Sequence, residues 1–174
     1  MIDMGLVLSQ ALVYGLGLSL ILTILTVISG SVALDMFVDD YPADIRRQYG
    51  PMSARAARLR PFVATALFAT VLGIPLLGLW VLRSQHGSIP FWAALAFSTA
   101  CLLVFNLFDL IILDWLFFCT IQQRSMVLPG TEGMAGYRDY RFHFIGFLKG
   151  MIFTLAGGLL ISAVWMGLQW IEHE

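Results

Sequence analysis

The sequence predicts an all-α integral membrane protein, a four-transmembrane-helix bundle with two longer cytoplasmic loops, forming a single domain over residues 1–174. Three observations predict it. Hydrophobic residues make up 59% of the chain and charged residues 12%, against about 45–50% and 25% in soluble domains. The mean hydropathy is +0.85, which implies more apolar surface than a water-soluble fold can bury. The apolar residues also fall into four blocks, near 4–34, 62–82, 90–121 and 142–171, each with the roughly 20 residues that carry a helix across the hydrocarbon core. Unbroken runs such as Leu110-Ile111-Ile112-Leu113 lack the alternation of a membrane β-barrel.

The first block is preceded by no Lys or Arg and is long enough to span, so it reads as a transmembrane helix rather than a signal peptide. The loop after it, 35–61, divides in two. Asp40-Tyr41-Pro42 offers a helix cap with Pro in the first turn, Gly50-Pro51 stops that helix, and Ser53 caps the lead-in to the second block. The third block holds both cysteines, Cys101 and Cys119, which a helical rise would separate by about 27 Å, beyond disulfide reach. The next loop, 122–141, contains Pro129-Gly130, Gly133 and Gly136 and is expected to be irregular backbone. On the fourth block a small residue recurs at every fourth position, at Gly146, Gly150, Thr154, Gly158 and Ser162. This spacing lets another backbone approach closely, from the same chain or from another subunit. Leu-Asp pairs at Asp35 and Asp114, each followed by a Gly/Pro pair at matching distance, raise the prospect of an internal duplication.

Basic residues set the expected orientation, because cytoplasmic loops retain Lys and Arg. Arg46, Arg47, Arg55, Arg58 and Arg60 lie in the first loop and Arg124, Arg138 and Arg141 in the third, whereas the second has only Arg83. Loops 35–61 and 122–141 are therefore expected in the cytoplasm, with both termini outside and the chain in the cell (inner) membrane. Trp80, Trp92, Trp165 and Trp170 fall toward the outer ends of their blocks, and Tyr41, Tyr49, Tyr137 and Tyr140 toward the inner loops, which suits interfacial anchors.

Ionisable groups inside a span are costly and turn toward the bundle interior. Asp109, Asp114 and Lys149 are the notable ones, and with α-helical winding Asn106, Asp109 and Asp114 share an arc of about 140°. Asp114 and Lys149 are expected at similar depth on antiparallel helices, as an ion pair. Asp109, deeper and without a cation at its level, is expected either to be protonated or to bond Asn106 or the hydroxyls of Thr23, Thr26 or Ser29. Together with His143 at the head of the fourth block, these define a candidate binding site of Asn106, Asp109, Asp114, His143 and Lys149. Asp35, Asp39, Asp40, Asp44, Glu132 and Asp139 gather at the same mouth; oxygen-rich sets of this kind can hold Mg²⁺ or Mn²⁺, but the plainer reading, a solvated loop whose acids balance nearby arginines, is preferred.

Asp39-Asp40-Tyr41-Pro42-Ala43-Asp44 and Asn106-Leu107-Phe108-Asp109 resemble the aspartate-rich motifs of membrane prenyltransferases. The spacings differ from that family's, and its bundles have many more spans, so no residue role is carried across. A net charge of −1 leaves no basic surface for nucleic acid. No histidine pair for di-haem binding, cysteine pair for disulfide exchange, or nucleotide-binding glycine loop is present. Three readings stay open. The chain is a small transporter or channel subunit, expected to form a homo-oligomer; or a membrane enzyme acting on a lipid or isoprenoid at the cytoplasmic interface; or a non-catalytic subunit of a larger membrane complex.

Overall fold

A computed structural model describes residues 2–171. Its described residues are helical or loop, without strands, and four helices are long and apolar enough to cross a membrane: Met4–Val32, Ala54–His86, Phe91–Ile121 and Tyr140–Ile171. The protein is thus a multi-pass membrane protein built as an all-α bundle. In chain order the main helices are α1 (Met4–Val32), α2 (Ala43–Tyr49), α3 (Ala54–His86), α4 (Phe91–Phe108) and α5 (Tyr140–Ile171). The backbone of α4 runs on without a break as a π-helix, Asp109–Ile121.

Helix ends follow local chemistry. The Asp3 carboxylate accepts from the Gly5 N–H at the start of α1 (2.9 Å). Ser53 accepts from the Ala56 N–H at the start of α3 (3.2 Å), as the sequence suggested, because a cap oxygen satisfies a first-turn donor that has no helical partner. From that cap α3 stays helical through the arginine-bearing turns and Pro61 to His86, longer at both ends than the apolar block alone. Asp40 does not cap α2; Pro42 holds that position, and the first loop begins instead with a 3₁₀ helix, Leu34–Asp40. Gly50 then turns the chain at φ +89, a backbone conformation that a Cβ disfavours.

Helix α4 is the centre of the bundle and packs most extensively against α1 and α5, whereas α3 touches its neighbours more sparsely. The main core joins Ala11, Leu18 and Leu22 of α1 to Leu79 of α3, Phe97 and Cys101 of α4, and Ile161 of α5. A Cβ on Gly15 would meet Val104 and the Cys101 carbonyl, and one on Gly158 would strike Thr99. Gly150, Thr154, Gly158 and Ser162 thus fit against α4 of the same chain, while Gly146 faces open space. The small-residue ridge is used within the bundle and is not free to join subunits. At the end near α3–α4, the Gln169 amide donates to the Ile89 carbonyl (2.9 Å) and its oxygen accepts from the Ile89 N–H (3.1 Å), latching the end of α5 to the second loop.

Loops one and three meet at the opposite end around a second small core. Val38, Tyr41 and Ile45 pack with Phe118, Cys119, Leu128 and Tyr137. The third loop is not irregular throughout: it contains 3₁₀ turns at Arg124–Met126 and Ala135–Arg138. Tyr41 donates to the Met126 carbonyl (2.9 Å), Asp44 accepts from the Gly136 N–H (2.9 Å), and the fully buried Tyr137 hydroxyl accepts from the Leu128 N–H (2.9 Å) and bonds Thr131 (2.8 Å). Tyr41 and Tyr137 are core residues here, and Trp165 is buried as well, so these three side chains pack within the protein. Asp35 lies in a 3₁₀ turn and accepts from the Ser53 N–H (2.6 Å), while Asp114 lies inside a π-helix. The two Leu-Asp segments therefore differ in conformation and partner, and no duplication is visible there.

Candidate functional site

The π-winding organises the polar site. In an α-helix, residues five apart lie about 140° apart around the axis. In a π-helix the i→i+5 hydrogen bond brings them back onto one face. Asp109 opens the π segment and Asp114 lies five residues on, so the winding brings the two residues closer around the axis than an α-helix would. The hydroxyl of Thr120 follows the same repeat, donating to the Trp115 carbonyl five residues back (2.7 Å). Periodicity read as α-winding misses this, since nothing in the composition of an apolar span marks it as π.

His143, in the first turn of α5, is 6% exposed, and its Nδ1 lies 2.9 Å from Oδ1 of Asp114. A carboxylate oxygen accepts, so Nδ1 carries the proton of this bond. Nε2 is buried and has no hydrogen-bond partner. The ring packs edge-on against Phe118 (centroids 4.7 Å apart) and Phe142 (5.3 Å), which fixes its plane. His143 therefore has one nitrogen tied to a carboxylate and the other left available.

Asp40, Asp109, Asp114 and His143 line two cavities. The first, about 300 Å³, is lined toward α1 by Thr26 and Gly30 and toward the loops by Tyr41 and Met126. The second, about 390 Å³, adds Asp39, Asn106, Phe142, Gly146 and Gly150. Asp40 was outside the five expected residues. Its place in the site comes from the 3₁₀ helix that folds the first loop back over the bundle end, a tertiary effect with no local signature. Burial pushes the Asp40 carboxyl above its ordinary value, Asp39 and Asp114 push the same way, and Arg60 opposes them. Burial, with smaller contributions from Tyr137 and Asp40, raises the Tyr41 phenol, keeping it the protonated donor to Met126.

Of the expected residues, the structure brings Asn106, Asp109, Asp114 and His143 together and leaves Lys149 out. The expected Asp114–Lys149 pair is not formed, because His143 occupies that carboxylate and Lys149 is exposed on the outer face of α5. Lys149 makes no ion pair among the described residues. The Asp109 carboxyl makes no hydrogen bond among them either. Asn106 donates to the Phe147 carbonyl (3.3 Å) and Thr23 to the Ser19 carbonyl (2.7 Å), while Thr26 shares the first cavity with Asp109. At the mouth, Asp39 is paired with Arg60 (2.6 Å). Among the described residues no three His, Cys, Asp or Glu side chains converge closely enough to share a metal ion. His86 lies at the other end of the bundle, and His173 lies outside the described residues.

A third cleft, about 410 Å³, opens between α3 and α5. Its walls are Phe68, Val71 and Leu72 on one side and Phe153, Ala156, Gly157 and Leu160 on the other, and it shares Asn106 and Gly150 with the second polar cavity. Chemically, the arrangement sets a carboxylate–imidazole pair and a second carboxylate beside polar cavities and an apolar groove. No family model matches the chain, and neither a curated protein nor a solved structure matches it.

Proposed function

We propose that the chain is a small transport subunit in which His143, Asp114 and Asp109 take up and release a proton as a solute, ion or proton passes. It would reside in the cell (inner) membrane, with loops 35–61 and 122–141 in the cytoplasm and the termini outside, an orientation supported by the arginines of those loops. The observation that carries the reading is the buried His143 ring, bonded to Asp114 through Nδ1 and unpartnered at Nε2, beside a carboxylate one π-turn away. Intramembrane carboxylate–histidine sets are how proton relays are built, and π segments recur at functional sites. The polar cavities are lined by residues from one half of the spans. A path across the membrane therefore calls for further copies of the chain or for other subunits.

Reconstituted vesicles carrying a pH-sensitive dye test this. The parent chain should pass protons under an imposed gradient, and Asp109→Asn and His143→Gln should each reduce the flux at least tenfold. Flux equal to that of empty vesicles for the parent, or unchanged flux in both variants, rejects transport.

The second reading is an interfacial enzyme acting on a lipid or isoprenoid, with His143 as base and a carboxylate as acid. It is favoured by the α3–α5 cleft, which joins an apolar groove to the polar cavity through Asn106 and Gly150. A lipid altered in mass during incubation with the parent chain, and unaltered with His143→Ala, would favour it over transport.

A further inference from the structure

The α3–α5 cleft lies between two helices long and apolar enough to span a membrane, so it opens where acyl chains are the solvent. Its rims are prominent aromatics, Phe68 at 60% exposure and Phe153 at 75%. Its volume, about 410 Å³, lies in the range of ligand pockets. Lys149 is the only lysine of the chain, is exposed, and makes no ion pair among the described residues. It stands one helical turn before Phe153 and one residue before Gly150, both of which line the cleft. By helical spacing it therefore borders the groove on the side toward the loops. It is nine residues into α5, about 13 Å of rise, at a depth from which a long ammonium side chain reaches toward the head-group region.

We propose that this cleft is a binding site for an anionic phospholipid of the surrounding bilayer, one acyl chain lying between Phe68 and Phe153 and the phosphate paired with Lys149. Charge selects the ligand. The unpaired cation sits at the end of an otherwise apolar groove, and a phosphate that also carries a net negative charge complements it better than a zwitterionic head group does. The proposal stands independently of the proton site, because none of the polar atoms of His143, Asp114 or Asp109 takes part in it.

The test uses the full chain with Phe68→Trp as a reporter, in bilayers of phosphatidylcholine containing a minor fraction of brominated lipid, either phosphatidylglycerol or phosphatidylcholine. Bromine quenches a nearby indole, and the chain without the reporter gives the background from the native tryptophans. Quenching of the reporter should be at least threefold stronger with brominated phosphatidylglycerol. Lys149→Gln should bring the ratio to one, and Lys149→Arg should keep it. Equal quenching by the two lipids in the Lys149 chain means only bulk lipid enters the groove and overturns the proposal. A preference that survives Lys149→Gln overturns the assigned phosphate partner, and absence of quenching by either lipid means the groove is covered by protein, such as a second copy, which also overturns it.

Discussion

Asp40 shows how one carboxylate registers its surroundings. Partial desolvation at the bundle end, where Asp40 keeps some of its surface exposed, raises its pKa, so the folded chain holds that proton more tightly than the unfolded chain does. By linkage, the folded state is favoured where Asp40 is protonated, and stability is lost as pH rises from the ordinary carboxylate value, about 3.9, toward the raised one. Replacing Asp40 with Asn removes the ionisation. The Asn variant should therefore unfold at a higher temperature than the parent at pH 7, with the gap closing below about pH 4; thermal unfolding in detergent at several pH values reads this, and a gap independent of pH contradicts it. Such residue-scale relations were only partly legible in the chain. Asp114 was recognisable as needing a partner, since a carboxylate in a span must find one, but the choice of His143 over Lys149 depends on how α5 is rotated. Sequence separation and depth leave that rotation open.

At the scale of elements, two features decide how α4 meets its neighbours: small residues on α5 and the winding of the second half of the span. Gly158 gives the sharper test, because a Cβ there would strike Thr99, whereas a Cβ on Gly146 meets nothing within 4 Å. Gly158→Val should cost about 1–3 kcal/mol, as overpacking does, while Gly146→Val should stay within about 0.5 kcal/mol. Comparing the two by thermal unfolding separates packing from a general loss of glycine. The four helices and the ridge were readable because length, hydropathy and four-residue spacing are local properties. The π-helix was not, because α- and π-winding share the same apolar residues and differ only in which carbonyl each N–H finds. That difference decides how Asp109 and Asp114 are placed around the helix, which periodicity read as α-winding set about 140° apart.

For the whole molecule, orientation is the property most open to direct measurement. A membrane-impermeant thiol reagent applied to intact cells should label Ser88→Cys, in the second loop, and spare Glu132→Cys, in the third; both positions are exposed, and the native cysteines are buried. The opposite pattern would invert the proposed topology. The core shared by the first and third loops was hidden from the sequence, since Tyr41 meets Met126 across 85 residues and Asp44 meets Gly136 across 92, pairings that no local pattern announces. They bear on how the protein is made. Contacts so distant in the chain form slowly, and the partners of Tyr41 and Asp44 have yet to be translated when α1 has already entered the bilayer. A nascent chain carrying α1 to α3 therefore keeps an open acidic loop, and the cavity around His143 comes into being only once the last helix has been inserted.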